Sequence, residues 1–152
     1  MVEPIQGEAG VKVPSNGYLK KCCEITKKAG ILLICDEIQT GLGRTGRMFC
    51  SDWENVRPDI IAIGKALGGG VYPVSAIVAD NEIMTAAFEP GNHGSTFGGN
   101  PLACAVAVAS LDVLIDEHLS ERSAELGEFF RGEIAKANLK RVKEELAGAR
   151  HY

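Results

Sequence analysis

The chain has 152 residues, of which 24% are charged and 45% hydrophobic, and its formal net charge is −4. This length and composition suit one domain with a core, and the acidic balance gives no reason to expect nucleic acid or an anionic membrane as a partner. The five cysteines form no Cys-x-x-Cys pair, which favours buried thiols in a reducing compartment over a disulfide framework or a zinc site.

The first predicted elements are a loop, a helix and a strand. Residues 7–10 form a glycine-containing loop, and a helical pattern runs from the N-cap types Ser15 and Asn16 to the C-cap type Gly30. Residues 31–35 are a short apolar run, which predicts a buried strand.

The second predicted strand ends in a lysine followed by glycines. Residues 61–65 are apolar up to Lys65, and three glycines stand at 68–70. Residues 74–79 predict a third strand, which leads to a short helix capped by Asp80.

Helices dominate the last part of the chain. Asn100 and Pro101 are a cap and a first-turn residue, and residues 102–108 are apolar nearly all round, which predicts a buried helix. From Leu119 onward the helices are amphipathic and charged. The alternation of strands and helices predicts an α/β fold with parallel strands, and so few strands predict an incomplete part of a larger domain.

A lysine and a carboxylate follow the two buried strands. Lys65 ends the second strand and Asp36 directly follows the first. An amine that is poorly solvated at a strand end can act as a nucleophile. The pair suggests a pyridoxal phosphate site, with a Schiff base on the lysine, the aspartate on the pyridinium nitrogen, and Gln39 available to a phenolate oxygen.

Other interpretations remain for the same residues. Asp36 after an apolar strand also fits a nucleotide-hydrolysing enzyme, but that class needs a phosphate-binding loop with Ser or Thr after the lysine, and Ala66 follows Lys65. Taken singly, the aspartate could merely end a strand and the lysine could be a solvated strand end.

Two polar segments are further candidates. Residues 93–101 place hydroxyls and amides just before a helix N-terminus, which fits either a phosphate site or a capped turn. His93 has no partner at metal-ligand spacing, so no metal site is predicted. Glu8 in the first loop is either solvated or placed to select an amine or pair with an arginine.

Five segments match, in order and spacing, those of the class III aminotransferases that use pyridoxal phosphate. They are 3–10, 36–41, 43–46, 65–70 and 93–102. The chain resembles this family from Val2 to about Ala137. The resemblance implies an incomplete large domain of a fold-type I transferase, with a mainly parallel sheet and flanking helices. Residues 1–117 would form the partial cofactor-binding domain and 118–152 a helical segment leading toward a small carboxyl-terminal domain.

The resemblance also implies roles for four residues at the cofactor. Lys65 would carry the Schiff base and, once released, move a proton between the substrate carbon and the cofactor. Asp36 would keep the pyridine nitrogen protonated. Gln39 would bind the 3-oxygen, and Ile38 would pack against one face of the ring.

A homodimer and a substrate class are implied in the same way. Thr96, with Ser95, would reach the phosphate bound by the neighbouring subunit. Glu8 would pair with an arginine when ornithine binds and release it when glutamate or 2-oxoglutarate binds. The implied reaction moves the δ-amino group of ornithine to 2-oxoglutarate, with acetylornithine or other ω-amino acids as alternatives, in the cytoplasm or mitochondrial matrix.

The sequence departs from the family pattern in what it lacks. The glycine-rich phosphate cup, the aromatic residue stacked on the ring and the arginine partner of Glu8 are missing, and residues 139–152 do not follow the pattern. We therefore expect a partial or truncated product that is inactive alone. The alternative is a non-catalytic product that is unstable or binds a full-length subunit.

Overall fold

A computed structural model describes residues 1–89 and 91–136, so the expectations for residues 137–152 lie outside it. The helices and strands in chain order are α1 (Tyr18–Ala29), β1 (Ile34–Asp36), β2 (Ile60–Ile63), β3 (Ala76–Ala79), α2 (Asn81–Ala87), α3 (Pro101–Asp116) and α4 (Leu119–Lys136). Two 3-10 helices, Cys50–Glu54 and Lys65–Gly68, lie before and after β2. None of the described helices has the length and apolar character needed to cross a membrane.

The three strands form one small mixed sheet in the order β1-β2-β3. β1 and β2 are parallel, with Cys35 beside Ile61, as predicted. β2 and β3 are antiparallel, with Ile61 beside Val78, so the prediction of parallel strands is wrong for β3. The connection between them contains a 3-10 helix and no α-helix, and a chain that reverses without a crossover helix returns antiparallel.

The strands are shorter than the apolar runs that predicted them. The N–H of Ile31 donates to the carbonyl of Thr26, so residue 31 completes the end of α1 instead of starting β1. Gly30 there has φ 65°, which confirms it as the C-cap. Lys65 likewise lies beyond the end of β2, in the first position of a 3-10 helix.

The start of α1 differs from the predicted Ser15 or Asn16 cap. The helix begins after Gly17, which has φ 82° and no side chain to cap it. The Glu54 carboxylate instead accepts hydrogen bonds from the backbone N–H groups of Gly17, at 3.1 Å, and Lys20, at 2.9 Å. A side chain distant in sequence therefore caps the N-terminus of α1.

Buried apolar residues form two clusters. The first joins α1 to β1 and contains Leu19, Leu33, Cys35 and Val56. The second, built on Leu42, Ile63 and Leu67, packs against one side of α3.

The prediction that the apolar helix after Pro101 is buried is wrong for this chain. Of the α3 residues only Ala103 is buried, and Leu102 and Val108 are each 59% exposed. Asn100 caps α3 as predicted, because its Oδ1 accepts from the Ala103 N–H at 2.9 Å. The second apolar cluster covers one side of this helix and α4 also contacts it, but both leave much of its apolar surface exposed.

The buried thiols give a prediction for pH. Burial, with a contribution from the Glu37 charge, raises the pKa of Cys35 and Cys50 to about 12. Thiols of an unfolded chain titrate near pH 8.5, so the folded chain holds these protons more tightly. The stability they support is therefore present below about pH 9 and falls as the pH rises toward 12.

Urea unfolding at several pH values between about 8 and 11 measures this fall. At about pH 8 iodoacetamide should modify the exposed Cys104 much faster than Cys35 or Cys50 in the folded chain. Cys104→Ser is the matched control and should leave the pH dependence of unfolding unchanged. Equal labelling of the three thiols would contradict the prediction.

Candidate active site

The site lies where two parallel strands end at the same edge of the sheet. Asp36 is the last residue of β1, and Lys65 follows β2 after one glycine. The N–H of Glu37 donates to the carbonyl of Ala62 at 2.9 Å, which continues the pairing past the end of β1. This arrangement brings the predicted lysine and aspartate to one edge.

Lys65 forms the centre of a three-residue cluster. Its Nζ donates to Oε1 of Gln39 and lies 3.8 Å from Oε1 of Glu8. The lysine side chain is 52% exposed and that of Glu8 95% exposed. The backbone of Lys65 has φ 40°, in the left-handed region. Three residues that the sequence predicted separately are therefore brought together around one amine.

Asp36 and Ile38 lie at the end of β1, just before Gln39 in the chain. Oδ1 of Asp36 accepts from the N–H of Ile38 at 3.1 Å, and no residue in the described part of the chain donates to its Oδ2. The Ile38 side chain covers Gly64, because a Cβ on that glycine would meet Cγ2 of Ile38 at 3.3 Å. Ile38 therefore packs against Gly64, the residue that directly precedes Lys65 in the chain.

Glu8 is carried by a braced turn. The N–H of Gly10 donates to the carbonyl of Gly7 at 3.1 Å, which closes the turn around Glu8. Oε2 of Glu3 accepts from the Gly7 N–H at 3.0 Å. An antiparallel bridge between residues 6 and 12 holds the base of the turn. The first loop is therefore an ordered support for the carboxylate.

Glu37 is a residue whose part the sequence analysis missed. It is 1% exposed, and its carboxylate accepts from Thr40 Oγ1 at 2.7 Å, the Cys50 N–H at 2.9 Å and the Ser51 N–H at 2.8 Å. These bonds tie the turn that carries Gln39 to the 3-10 helix before β2. The available signal was a second acid directly after a buried strand, with a threonine three residues later.

Ser95 and Thr96 lie on a different, exposed loop. Oγ of Ser95 accepts from the Gly98 N–H at 2.9 Å, which is the capped-turn interpretation of this segment. Within residues 1–89 and 91–136, no hydrogen bond or ion pair joins Ser95 or Thr96 to the lysine cluster. The structure thus leaves these two residues apart from the other predicted site residues.

A cleft of about 520 Å³ opens at the lysine cluster. Gly7, Ile38, Gln39 and Lys65 are among its lining residues. Small-molecule sites fall in the same range of volume, roughly 300–1,000 Å³. The cleft is therefore large enough for a cofactor ring and a small substrate.

Comparison with known proteins agrees with this geometry. Residues 1–148 match the family model described as Aminotransferase class-III. The ornithine aminotransferase of Brevibacillus brevis is 60% identical over 144 residues, which are 95% of this chain and 36% of that relative. The corresponding protein of Staphylococcus epidermidis is 57% identical over the same shares of the two chains.

Solved structures give the same result. The ornithine aminotransferase from Toxoplasma gondii ME49 superposes with a TM-score of 0.87 at 52% identity, over 92% of this chain and 33% of that one. The acetylornithine aminotransferase from Elizabethkingia anophelis has a TM-score of 0.84 and 60% identity, over 88% and 33%. The chain belongs to the class-III aminotransferase family, and it spans about a third of the length of these relatives.

Class-III aminotransferases depend on pyridoxal phosphate, and the described residues fit part of that group. Lys65 offers a half-exposed amine, Gln39 lies on that amine, and the open Oδ2 of Asp36 can accept from a ring N–H. The fit concerns the ring and its aldehyde, since Ser95 and Thr96 are not at this cluster.

Proposed function

We propose that this chain carries the lysine-bearing part of an ornithine aminotransferase-like active site. The reaction uses pyridoxal phosphate to move the δ-amino group of L-ornithine to 2-oxoglutarate, giving glutamate 5-semialdehyde and glutamate. The observation that carries the proposal is the Lys65 amine, held by Gln39 and Glu8 at the sheet edge where Asp36 ends β1. The names of the relatives support ornithine as the substrate.

Bound at this edge, pyridoxal phosphate supplies an aldehyde that captures amines and a protonated ring that takes up electrons. Asp36 would hold a proton at the ring nitrogen through its Oδ2. Lys65 would bind the aldehyde carbon and, when free, move a proton at the substrate carbon. Gln39 would donate to the ring 3-oxygen through its amide N–H groups, and Ile38 would exclude water from one face.

Glu8 is the proposed substrate residue. Its carboxylate lies beside the cleft and its side chain is 95% exposed, so it can reach an arginine or a substrate amine. Pairing with an arginine while ornithine occupies the site, and release of that arginine for glutamate, would let one site accept both substrates.

The proposed assembly is a homodimer, with Thr96 and Ser95 of one subunit at the phosphate of the other. Exposure of the loop that carries them supports this. The free cysteines among the described residues support a reducing compartment, either the cytoplasm or the mitochondrial matrix. Because the described residues supply no phosphate cup, we expect weak or no ornithine turnover by the chain alone.

The experiment is borohydride reduction of the purified chain with pyridoxal phosphate, followed by peptide mass spectrometry. A pyridoxyl group on Lys65 is expected, together with a shift in the absorbance of the cofactor before reduction. Lys65→Ala should abolish both. Lys28→Ala removes an exposed lysine of α1 and should change neither.

Labelling spread over several lysines, and equal in Lys65→Ala, would contradict the proposed site. Two alternatives then gain support. One is a non-catalytic product that associates with a full-length subunit. The other keeps the chemistry and changes the substrate, since the acetylornithine aminotransferase from Elizabethkingia anophelis is 60% identical. Absorbance changes of the loaded chain with ornithine and with acetylornithine distinguish the two substrates.

A further inference from the structure

We propose that Gly7 is a positioning residue, whose lack of a side chain lets the Glu8 turn close on the Gln39 amide and fix that amide on Lys65. The importance of this contact for the cofactor rests on the proposed function. The contact itself does not, and it can be tested on the chain alone.

The close approach involves the whole amide group of Gln39. A Cβ built on Gly7 would lie 2.8 Å from Cδ, 2.9 Å from Nε2 and 3.0 Å from Oε1 of that side chain. These separations are shorter than van der Waals contact, so any side chain at position 7 must displace the amide or the turn. The backbone of the turn therefore lies directly against the group that binds the Lys65 amine.

Space, and not backbone conformation, sets the requirement at this position. The neighbouring glycine of the turn, Gly10, has φ 98° and nothing within 4 Å of its would-be Cβ. Gly7 is the reverse case, with a crowded Cβ direction and a φ outside the left-handed region. Alanine at position 7 thus meets no backbone strain and acts only through the contact with Gln39.

The turn cannot easily retreat from an added methyl group. The Glu3 carboxylate accepts a hydrogen bond from the Gly7 N–H, and the Gly10 N–H donates to the Gly7 carbonyl. The bridge between residues 6 and 12 fixes the base of the turn. Gln39 is an exposed side chain whose end can rotate. The amide is therefore the part that moves, away from Nζ of Lys65, while the fold is retained.

The test measures the reactivity of Lys65 in the cofactor-free chain. Trace acylation with acetic anhydride, read by peptide mass spectrometry against Lys28 as an internal reference, gives the rate at one amine. Gly7→Ala should raise this rate by about threefold or more, because the amine loses the acceptor that holds it. Gln39→Ala should raise it similarly, and the double variant should equal Gln39→Ala alone.

Gly132→Ala is the matched control, since a Cβ there meets nothing within 4 Å, and it should leave the rate unchanged. A wild-type rate in Gly7→Ala would overturn the proposal. So would additive effects in the double variant, which would place the action on Glu8 instead of Gln39. A Gly7→Ala chain that fails to fold would also overturn it, because the contact would then be supporting the fold.

A second readout separates this inference from the proposed function. Gly7→Ala should weaken pyridoxal phosphate binding about threefold or more in the parent chain and have no effect when Gln39 is already alanine. If the parent chain binds no cofactor, the proposed function fails, and the acylation result still decides whether Gly7 positions Gln39.

Discussion

Replacing Glu37 with alanine should lower the free energy of unfolding by about 3 kcal/mol, measured by urea titration. The carboxylate accepts from the Thr40 hydroxyl and from the backbone N–H groups of Cys50 and Ser51. Cys50 is 0% exposed and Ser51 1% exposed, so water cannot take over as acceptor. Each buried donor left without a partner costs roughly 1–3 kcal/mol.

A graded set of variants makes this expectation sharp. Glu37→Gln should lower the free energy of unfolding by about half as much. Its amide keeps one acceptor oxygen, but its NH2 group replaces the other oxygen and faces N–H or O–H groups that need an acceptor. Thr40→Val removes only the hydroxyl and should cost about 1 kcal/mol. Glu24→Ala, on the exposed side of α1, should change stability by less than about 0.5 kcal/mol. Equal stability of Glu37→Ala and Glu24→Ala would show that the carboxylate does not hold the loop.

Gly46→Ala should release α4 from the rest of the chain. The glycine has φ 92°, and a Cβ there would lie 2.9 Å from Cβ and 3.3 Å from Cα of Ala124 in α4. The strained φ costs about 1–2 kcal/mol and the overlap about 1–3 kcal/mol more. Because part of the overlap is with helix backbone, rotation of a side chain cannot relieve it.

Hydrogen exchange measures this effect where it occurs. Amides of α4 should lose protection in Gly46→Ala, and the bond from Ser123 Oγ to the Arg44 carbonyl, at 3.1 Å, should be lost with them. Gly132→Ala, in the same helix and with nothing outside the helix backbone within 4 Å of its would-be Cβ, should stabilise α4 by about 0.5–1 kcal/mol. Unchanged exchange in Gly46→Ala would mean that α4 is not held at this glycine.

The sequence predicts the positions of Asp36 and Lys65 in the fold better than it predicts the long-range contacts that support them. Asp36 ends β1 and Lys65 lies just beyond β2, close to where the sequence predicts them, because short apolar runs mark the strands and parallel neighbours bring their ends to one edge. Glu37 was missed because two of its three donors lie 13 and 14 residues away. The cap of α1 failed for the same reason, since Glu54 reaches it from 37 residues away.

The remaining errors also come from long-range structure. Residues 102–108 are apolar all round, and only the tertiary structure decides which of their sides is covered. The direction of β3 depends on how the chain returns after Lys65, and its apolar pattern is the same in either direction. The apolar pattern of an element shows which residues it can bury. The elements that pack against it determine which of those residues are buried in the fold.

The left-handed backbone of Lys65 has a consequence for protein design. At φ 40° a residue with a Cβ is held at a cost of roughly 1–2 kcal/mol that glycine would not bear. The amine therefore stands at a position where the most stable sequence would have none. A redesign that ranked residues by folding energy alone would favour glycine at position 65. That substitution would lower the computed folding energy and remove the amine on which the proposed chemistry depends.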